Sequence, residues 1–353
     1  MSDNRKILIW IGIFCVIGVI LLMVACETGL LLPQKTQDDV GMPEKQEGTL
    51  MPATDGDNKE SGDIEPPHEE EKPKILAVGE TYQEKLVEEG TKNLLIIGED
   101  KLNNLYDTIG IASIDTKNKK LKLIMIPRDT YIGYNEEIKS KLKELKLSDV
   151  PGVYKINYAH HVGDRIDYAG KFKSGSISFL AEVIHEKFGV EIEDYVKINT
   201  KGFKALVDHL GGVAIYVPYD MNYDDPTQDL HIHLSKGTRH LNGAEAEGFV
   251  RFRQGYRKDG TLFEIGDTGR KNNQLNFLKQ LIKQKGTVKN IGKIPGIINL
   301  LGKNVDHSIG LGDVLQTYIG LGKDIISDEY EITTENLNSD KMIRISGSSY
   351  LVF

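Results

Sequence analysis

The longest uninterrupted hydrophobic stretch of the chain lies near its start. Ile7 to Cys26 (ILIWIGIFCVIGVILLMVAC) is almost wholly apolar and carries no charge. About 20 such residues cross the hydrocarbon core of a bilayer as a helix. Arg5 and Lys6 precede it and Glu27 follows it, so the positive-inside rule puts the short N-terminus in the cytoplasm. The segment is long for a cleaved signal peptide. Met23-Val24-Ala25-Cys26 also loosely resembles a lipoprotein cleavage box, with Met in place of the usual Leu. Either route leaves the bulk of the chain outside the cytoplasm and tethered to the cell membrane.

The next stretch changes character. Residues 33–75 are rich in Pro, Glu, Asp, Gly and Lys, with scarcely an aliphatic cluster. Such a composition cannot bury enough apolar surface to offset the entropy of ordering, so a disordered stalk is expected here. Beyond it the patterning is globular. Asn93 to Gly98 is a short apolar run suited to a strand buried on both faces. Thr108–Ile114 and Leu121–Ile126 read as a hairpin around the polar connector 115–120. Ile177, Leu180, Ala181, Ile184 and Phe188 keep helical spacing, and Gly189 is placed to end that helix. Val196 and Ile198 mark a strand. Phe203, Leu206, Val207 and Leu210 mark a helix stopped by Gly211-Gly212, and Val213–Val217 a strand closed by Pro218. Helices are expected over Ala244–Val250 and Arg270–Lys283. Strands alternating with helices predict an α/β fold, a three-layer α/β/α sandwich with a mixed central sheet. The expected organisation is a cytoplasmic tip and single-pass transmembrane helix over 1–32, the stalk over 33–75, and one extracytoplasmic domain over 76–353.

Charge and cysteine content narrow the chemistry. The net charge of −8 is concentrated in the stalk, where twelve acids face five bases, so the folded part is close to neutral. Without a basic stripe there is no nucleic-acid footprint. The two cysteines, Cys15 and Cys26, both lie in the apolar segment, which leaves the exported part without disulfides or thiol chemistry.

Several polar residues stand where chemistry is usually placed. Asp100 and Asp107 flank buried strands, where α/β proteins put their sites. Two carboxylates on neighbouring loops suit a hard cation, and Mg²⁺ commonly takes one or two carboxylates with phosphate oxygens; capping of turns is the alternative. In Ile126-Pro127-Arg128-Asp129-Thr130 an apolar strand runs straight into an Arg-Asp pair, and an arginine fork suits phosphate as well as it suits a surface ion pair. Arg251 and Arg253 alternate, so an extended backbone would point both to one face. Arg270 and Gln274 share a face if helical. Arginines that converge are costly without a compensating anion, which is the physical case for a pyrophosphate site. His231 and His233 read as the outer face of an exposed strand, and His160-His161 carries no stronger signal.

In order and spread, these segments resemble the LytR-CpsA-Psr family of cell-wall glycopolymer transferases. The likeness runs from Asn93 to about Lys283. It is carried by Asn93–Asp100, Asp107-Thr108, Ile126–Tyr131, Lys155–Ala159, Asp208–Val213, Leu241–Ala246, Val250–Arg253 and Gly266–Arg270 with Gln274. The resemblance implies transfer of a teichoic-acid, capsular or related polymer from an undecaprenyl-pyrophosphate carrier to peptidoglycan, leaving a phosphodiester. It implies Mg²⁺ on Asp100 and Asp107, and a pyrophosphate site at Arg128, Arg251, Arg253, Arg270 and Gln274. Arg128, Arg251 and Arg253 are the expected catalytic groups, joined by Asp129, while Asp267 falls in the same motifs.

Two positions depart from the family pattern. Leu105 and Asn273 stand where basic residues are usual, and residues 134–151 look like an insertion into a substrate-facing loop. A pyrophosphatase acting on the same donor and a non-catalytic wall-binding or regulatory protein are the alternative readings.

Overall fold

A computed structural model describes residues 75–99, 105–285, 304–308 and 330–353. The apolar segment Ile7–Cys26, the acidic stretch up to Lys74, and Asp100 lie outside these residues. Among the described residues no helix is long and apolar enough to cross a membrane.

The fold is mixed α/β with a central mixed sheet. Three consecutive strands, β1 (Lys92–Glu99), β2 (Tyr106–Asp115) and β3 (Lys120–Ile126), form an antiparallel meander. The expected turn at 115–120 is built by Asp115, whose carboxylate accepts from the Asn118 N–H at 2.9 Å. After helices α1 (Glu136–Glu144), α2 (Ala159–Arg165) and α3 (Gly175–Phe188), strand β4 (Asp194–Asn199) returns parallel to β1. Helix α4 (Thr200–His209) leads to strands β5 (Val213–Val217), β6 (Met221–Asp225), β7 (Leu230–Leu234) and β8 (Gly237–Leu241). Then come α5 (Gly243–Arg251), the short hairpin β9 (Gln254–Tyr256) and β10 (Leu262–Glu264), and the long helix α6 (Gly266–Lys285). Strand β11 (Val305–His307) joins the sheet beside β4, and β12 (Glu331–Asn336) joins it beside β3, giving the order β11-β4-β1-β2-β3-β12. A C-terminal hairpin, β13 (Met342–Ile345) and β14 (Ser348–Leu351), ends the chain.

Period-two alternation divides the sheet's side chains between two cores. Leu95, Ile97, Ile109, Ile111, Ile124 and Ile126 pack against α1, α2 and α3. Leu94, Ala112, Ile114, Leu121, Leu123 and Met125 face the other way, onto Leu275 and Ile282 of α6. Phe277 and Leu281, also on α6, belong to a further cluster with α4, α5 and β5–β8. Thus α6 closes one face of the sheet and joins it to the small β ribbons.

Local signals explain the boundaries. Gly189 ends α3 in the left-handed conformation, at φ 67°. Asn242 and Glu245 form a reciprocal capping box that starts α5. The segment expected as a substrate-facing insertion is instead anchored in the core. Asn135 caps α1, and Ile138 and Leu142, four residues apart, are buried against the sheet face that carries α2 and α3. An amphipathic stripe has become a structural helix there, and no residue of 134–151 lines the cavity described next.

Candidate functional site

Strand ends and helix ends meet around a cavity of about 550 Å³. Its polar lining includes Asp107 and Thr108 at the start of β2, Arg128 after β3, Arg251 at the end of α5, Arg253 beyond it, and Arg270 and Gln274 in the first turns of α6, together with the carboxylates of Glu99 at the end of β1 and Glu247 on α5. Its apolar lining comes from the sheet (Ile96, Leu123, Met125, Val196), from α4 (Phe203, Leu206) and from α6 (Phe277, Leu278, Leu281). Gly98 faces Thr108 across the ladder; a Cβ there would lie 2.9 Å from Thr108 Cβ, and the register shifts at the next residue. A bulge beside a site re-aims the strand end, and here it sits opposite Asp107-Thr108.

The charges interlock. Arg128 Nη1 donates to Asp107 Oδ1, and Arg270 Nη1 stands 3.8 Å from Asp107 Oδ2. Arg270 Nη2 donates to Asp267 Oδ1 at 2.6 Å and to the Asp107 carbonyl at 3.3 Å. Arg128 Nε lies 4.0 Å from the same Asp267 oxygen. Two carboxylates therefore separate two guanidiniums. Burial pushes the Arg270 pKa down, with Asp267 opposing that shift and Arg128 adding to it. Burial also opposes charge on Arg128, but Asp107, Asp129 and Asp267 outweigh it and hold its pKa above the ordinary value. The Nε atoms of both arginines are buried without a hydrogen-bond partner. A buried arginine N–H left without an acceptor carries an uncompensated desolvation cost, so both guanidiniums are held here under electrostatic tension.

The extended reading of 249–253 is corrected. Helix α5 continues through Arg251, and the chain leaves it only at Phe252 (φ −58°, ψ 126°). Both arginines still reach the cavity, by the helix ending between them rather than by strand alternation. Arg251 Nη1 donates to Glu247 Oε1 at 2.7 Å one turn earlier, and Glu247 Oε2 also pairs with Lys204 at 3.1 Å. Arg253 is exposed and forms no ion pair among the described residues.

Asp107 lies within β2, not on a loop, and its partner in the expected metal pair, Asp100, is outside the described residues. Among the described residues no group of three His, Cys, Asp or Glu side chains forms a cation cage. Asp107 offers a hard oxygen on the cavity wall, as do Glu99, paired with Lys197, and Glu247, paired with Arg251 and Lys204; a carboxylate donor of this type suits Mg²⁺ when phosphate and water complete the shell. Asp129 does not line the cavity; it pairs with Lys155 at 2.5 Å. Gln274 Nε2 donates to Val250 O at 3.2 Å, tying α6 to α5, while its Oε1 is buried and unpartnered. Asn273 is buried, donates to Phe249 O at 3.3 Å and does not line the cavity. An arginine at that position would meet the α5–α6 interface rather than the cavity. Leu105 directly precedes β2, half-buried. His231 and His233 lie on the exposed face of β7, against Asp224 at 2.6 and 3.2 Å.

Sequence reasoning missed Glu247 and took Lys155 only as the first residue of a family segment, without a role of its own. Glu247 stands four residues before Arg251, a helical pairing signal obscured by taking Phe249–Arg253 as extended. Lys155 has no sequence neighbour that marks it, because its partner Asp129 lies 26 residues away.

Comparison with known proteins matches residues 54–353 to the LytR_cpsA_psr family model. TagV of Bacillus subtilis, a polyisoprenyl-teichoic acid–peptidoglycan teichoic acid transferase, is 29% identical over 235 residues, 65% of this chain and 52% of TagV. The regulatory protein MsrR of Staphylococcus aureus is 26% identical over 271 residues, 72% of this chain and 70% of MsrR. The chain thus spans about half the length of TagV. The crystal structure of B. subtilis TagV superposes with a TM-score of 0.52 at 25% identity, covering 75% of this chain and 92% of that one.

Proposed function

The chain belongs to the LytR_cpsA_psr family, and from that premise we propose that it is a phosphotransferase moving a glycopolymer from an undecaprenyl-pyrophosphate carrier to peptidoglycan. The observation that carries the reading is the convergence of Arg128, Arg251, Arg253 and Arg270 on a cavity whose remaining lining is largely apolar. A pyrophosphate joined to a prenyl chain matches both halves of that surface. The arginines neutralise and orient the phosphates, and the apolar wall between the sheet, α4 and α6 takes the hydrocarbon. The domain works outside the cytoplasm, held at the membrane through the apolar segment Ile7–Cys26.

The acceptor is a hydroxyl group of the wall. Its oxygen forms a new bond to the phosphorus that carries the glycan as the bridging P–O bond breaks. Polyprenyl phosphate departs with the bonding pair, and the hydroxyl proton is released. Phosphoryl transfer needs positioning and charge neutralisation more than covalent help, which is what converging guanidiniums supply. Asp107, with Asp100 as the second carboxylate, would hold Mg²⁺, which would further neutralise the phosphate oxygens.

The test is transfer of a defined lipid-linked polymer to peptidoglycan by the purified protein. Arg128→Ala and Arg251→Ala should each lower the rate by about 10²–10³. Arg→Lys should restore activity only in part, because an ammonium lacks the bidentate fork. Lys117→Ala, in the β2–β3 turn, is the control. Polymer released into solution without an acceptor would mark a hydrolase instead. Equal small effects at all three positions would indicate a wall-associated binding protein.

A further inference from the structure

Lys155 lies behind the cavity wall, yet it sets the charge that the cavity presents. Its ammonium is 2.5 Å from Asp129 Oδ1. Its backbone is bound to the same loop: Lys155 bridges Tyr131, the Ile156 N–H donates to Thr130 O at 2.9 Å, and the Asn157 N–H donates to Arg128 O at 3.3 Å. The other oxygen of Asp129 stands 3.8 Å from Arg128 Nε, a buried donor without a hydrogen-bond partner. That separation is too long for a hydrogen bond and short enough for a rotation of the carboxylate to close it.

Closing it would matter. Arg128 already gives Nη1 to Asp107. A second carboxylate hydrogen-bonded to Nε would compensate more of its remaining charge and leave less of it for an anion in the cavity. In a partly buried setting an opposite charge at contact distance is weakly screened, so Asp129 does not stay away from Arg128 unless something holds it. Lys155 is the cation in contact with it.

We infer that Lys155 is a positioning residue: by holding Asp129, it keeps the charge of Arg128 directed at an anion in the cavity. The inference rests on the proposed reading of the cavity as a pyrophosphate site and goes beyond it by assigning the residue that keeps the site receptive.

The experiment is calorimetric titration of inorganic pyrophosphate into the full-length chain at constant Mg²⁺. Lys155→Met should weaken binding about tenfold, within the range of couplings in one ion-pair network. Lys155→Arg should stay within about threefold of wild type, because a cation still holds Asp129. Asp129→Asn should restore binding in the Lys155→Met background, since an amide cannot neutralise Arg128. Asp129→Asn alone should bind at least as tightly as wild type, and this variant keeps the test open if Lys155→Met fails to fold. Unchanged binding in Lys155→Met overturns the inference. A double variant no better than Lys155→Met does too, because it makes Lys155 merely structural, and so does weaker binding by Asp129→Asn alone. Wild-type protein that does not bind pyrophosphate overturns the pyrophosphate reading of the cavity, and the inference falls with it.

Discussion

Arg270 donates to Asp267 at 2.6 Å from one helical turn further along α6, and it is 5% exposed where Asp267 is 23%. The same guanidinium touches Asp107 on β2, so one side chain ties the helix to the sheet as well as facing the cavity. Arg253, by contrast, lies exposed at the cavity without an ion-pair partner among the described residues. Both arginines should matter for transfer, but only one should matter for folding. Arg270→Ala should cost about 2–3 kcal/mol of stability, because it strands a partly buried carboxylate. Arg253→Ala should change stability by less than about 0.5 kcal/mol while still slowing transfer. Urea unfolding of the two variants beside a transfer assay separates these outcomes.

Asp107 likewise joins structure to chemistry. As a turn carboxylate it would be removable without structural cost, but it sits in β2 and accepts from Arg128. Asp107→Asn should abolish transfer and lower stability by about 1–2 kcal/mol, because two neighbouring guanidiniums lose the charge between them. In the absence of Mg²⁺, pyrophosphate should then raise the melting temperature of the variant more than that of wild type, because two guanidiniums are left to be compensated. A melting temperature equal to that of wild type, with full activity, would remove Asp107 from both roles.

The start of the domain carries a pH-sensitive clasp. The Glu186 carboxylate on α3 accepts from the backbone N–H groups of Leu76 and Ala77 at 2.7 and 2.6 Å. Burial nevertheless raises its pKa above the ordinary 4.5, outweighing those two donors. The folded state therefore binds the proton more tightly than the unfolded chain. The contribution of this group to stability is full below the unfolded value and is lost as pH rises through the folded one. Between about pH 4 and pH 7 the melting temperature of wild type should fall relative to that of Glu186→Gln, which does not titrate. Parallel pH dependences for the two proteins would count against the clasp.

The meander and the helices were legible in the sequence because their signals are local. The polar connector between β2 and β3, the helical spacing in α3 and a glycine at its end need no tertiary information. The arginines were legible as a set because each ends or begins an element. What stayed hidden is the geometry that several elements make together. The helix in α5 runs on to Arg251 because a capping box starts it and Ala246, Phe249 and Phe252 are buried in the core, whereas Arg251 and Arg253 taken by themselves suggest a strand. The separation of Asp129 from the cavity depends on Lys155, and the burial of Asn273 on the packing of α5 against α6; neither contact is written in neighbouring positions.

The apolar wall gives the most selective test of what the cavity holds. Leu278 on α6 is half-buried, lines the cavity, and lies one residue from the core position Phe277. A tryptophan there would extend into the lumen while the helix keeps its packing through Phe277, Leu281 and Ile282. If a prenyl chain occupies this wall, Leu278→Trp displaces part of it. Each buried CH₂ is worth about 0.8 kcal/mol, so excluding two or three should weaken a long-chain donor roughly ten- to fifty-fold. Inorganic pyrophosphate has no hydrocarbon and meets only the arginine-rich region, so its affinity should be unchanged. Titrating both probes into wild type and Leu278→Trp distinguishes the two halves of the cavity. Loss of both affinities would mean that the helix has shifted and the arginines with it. Retention of both would mean that the hydrocarbon lies elsewhere.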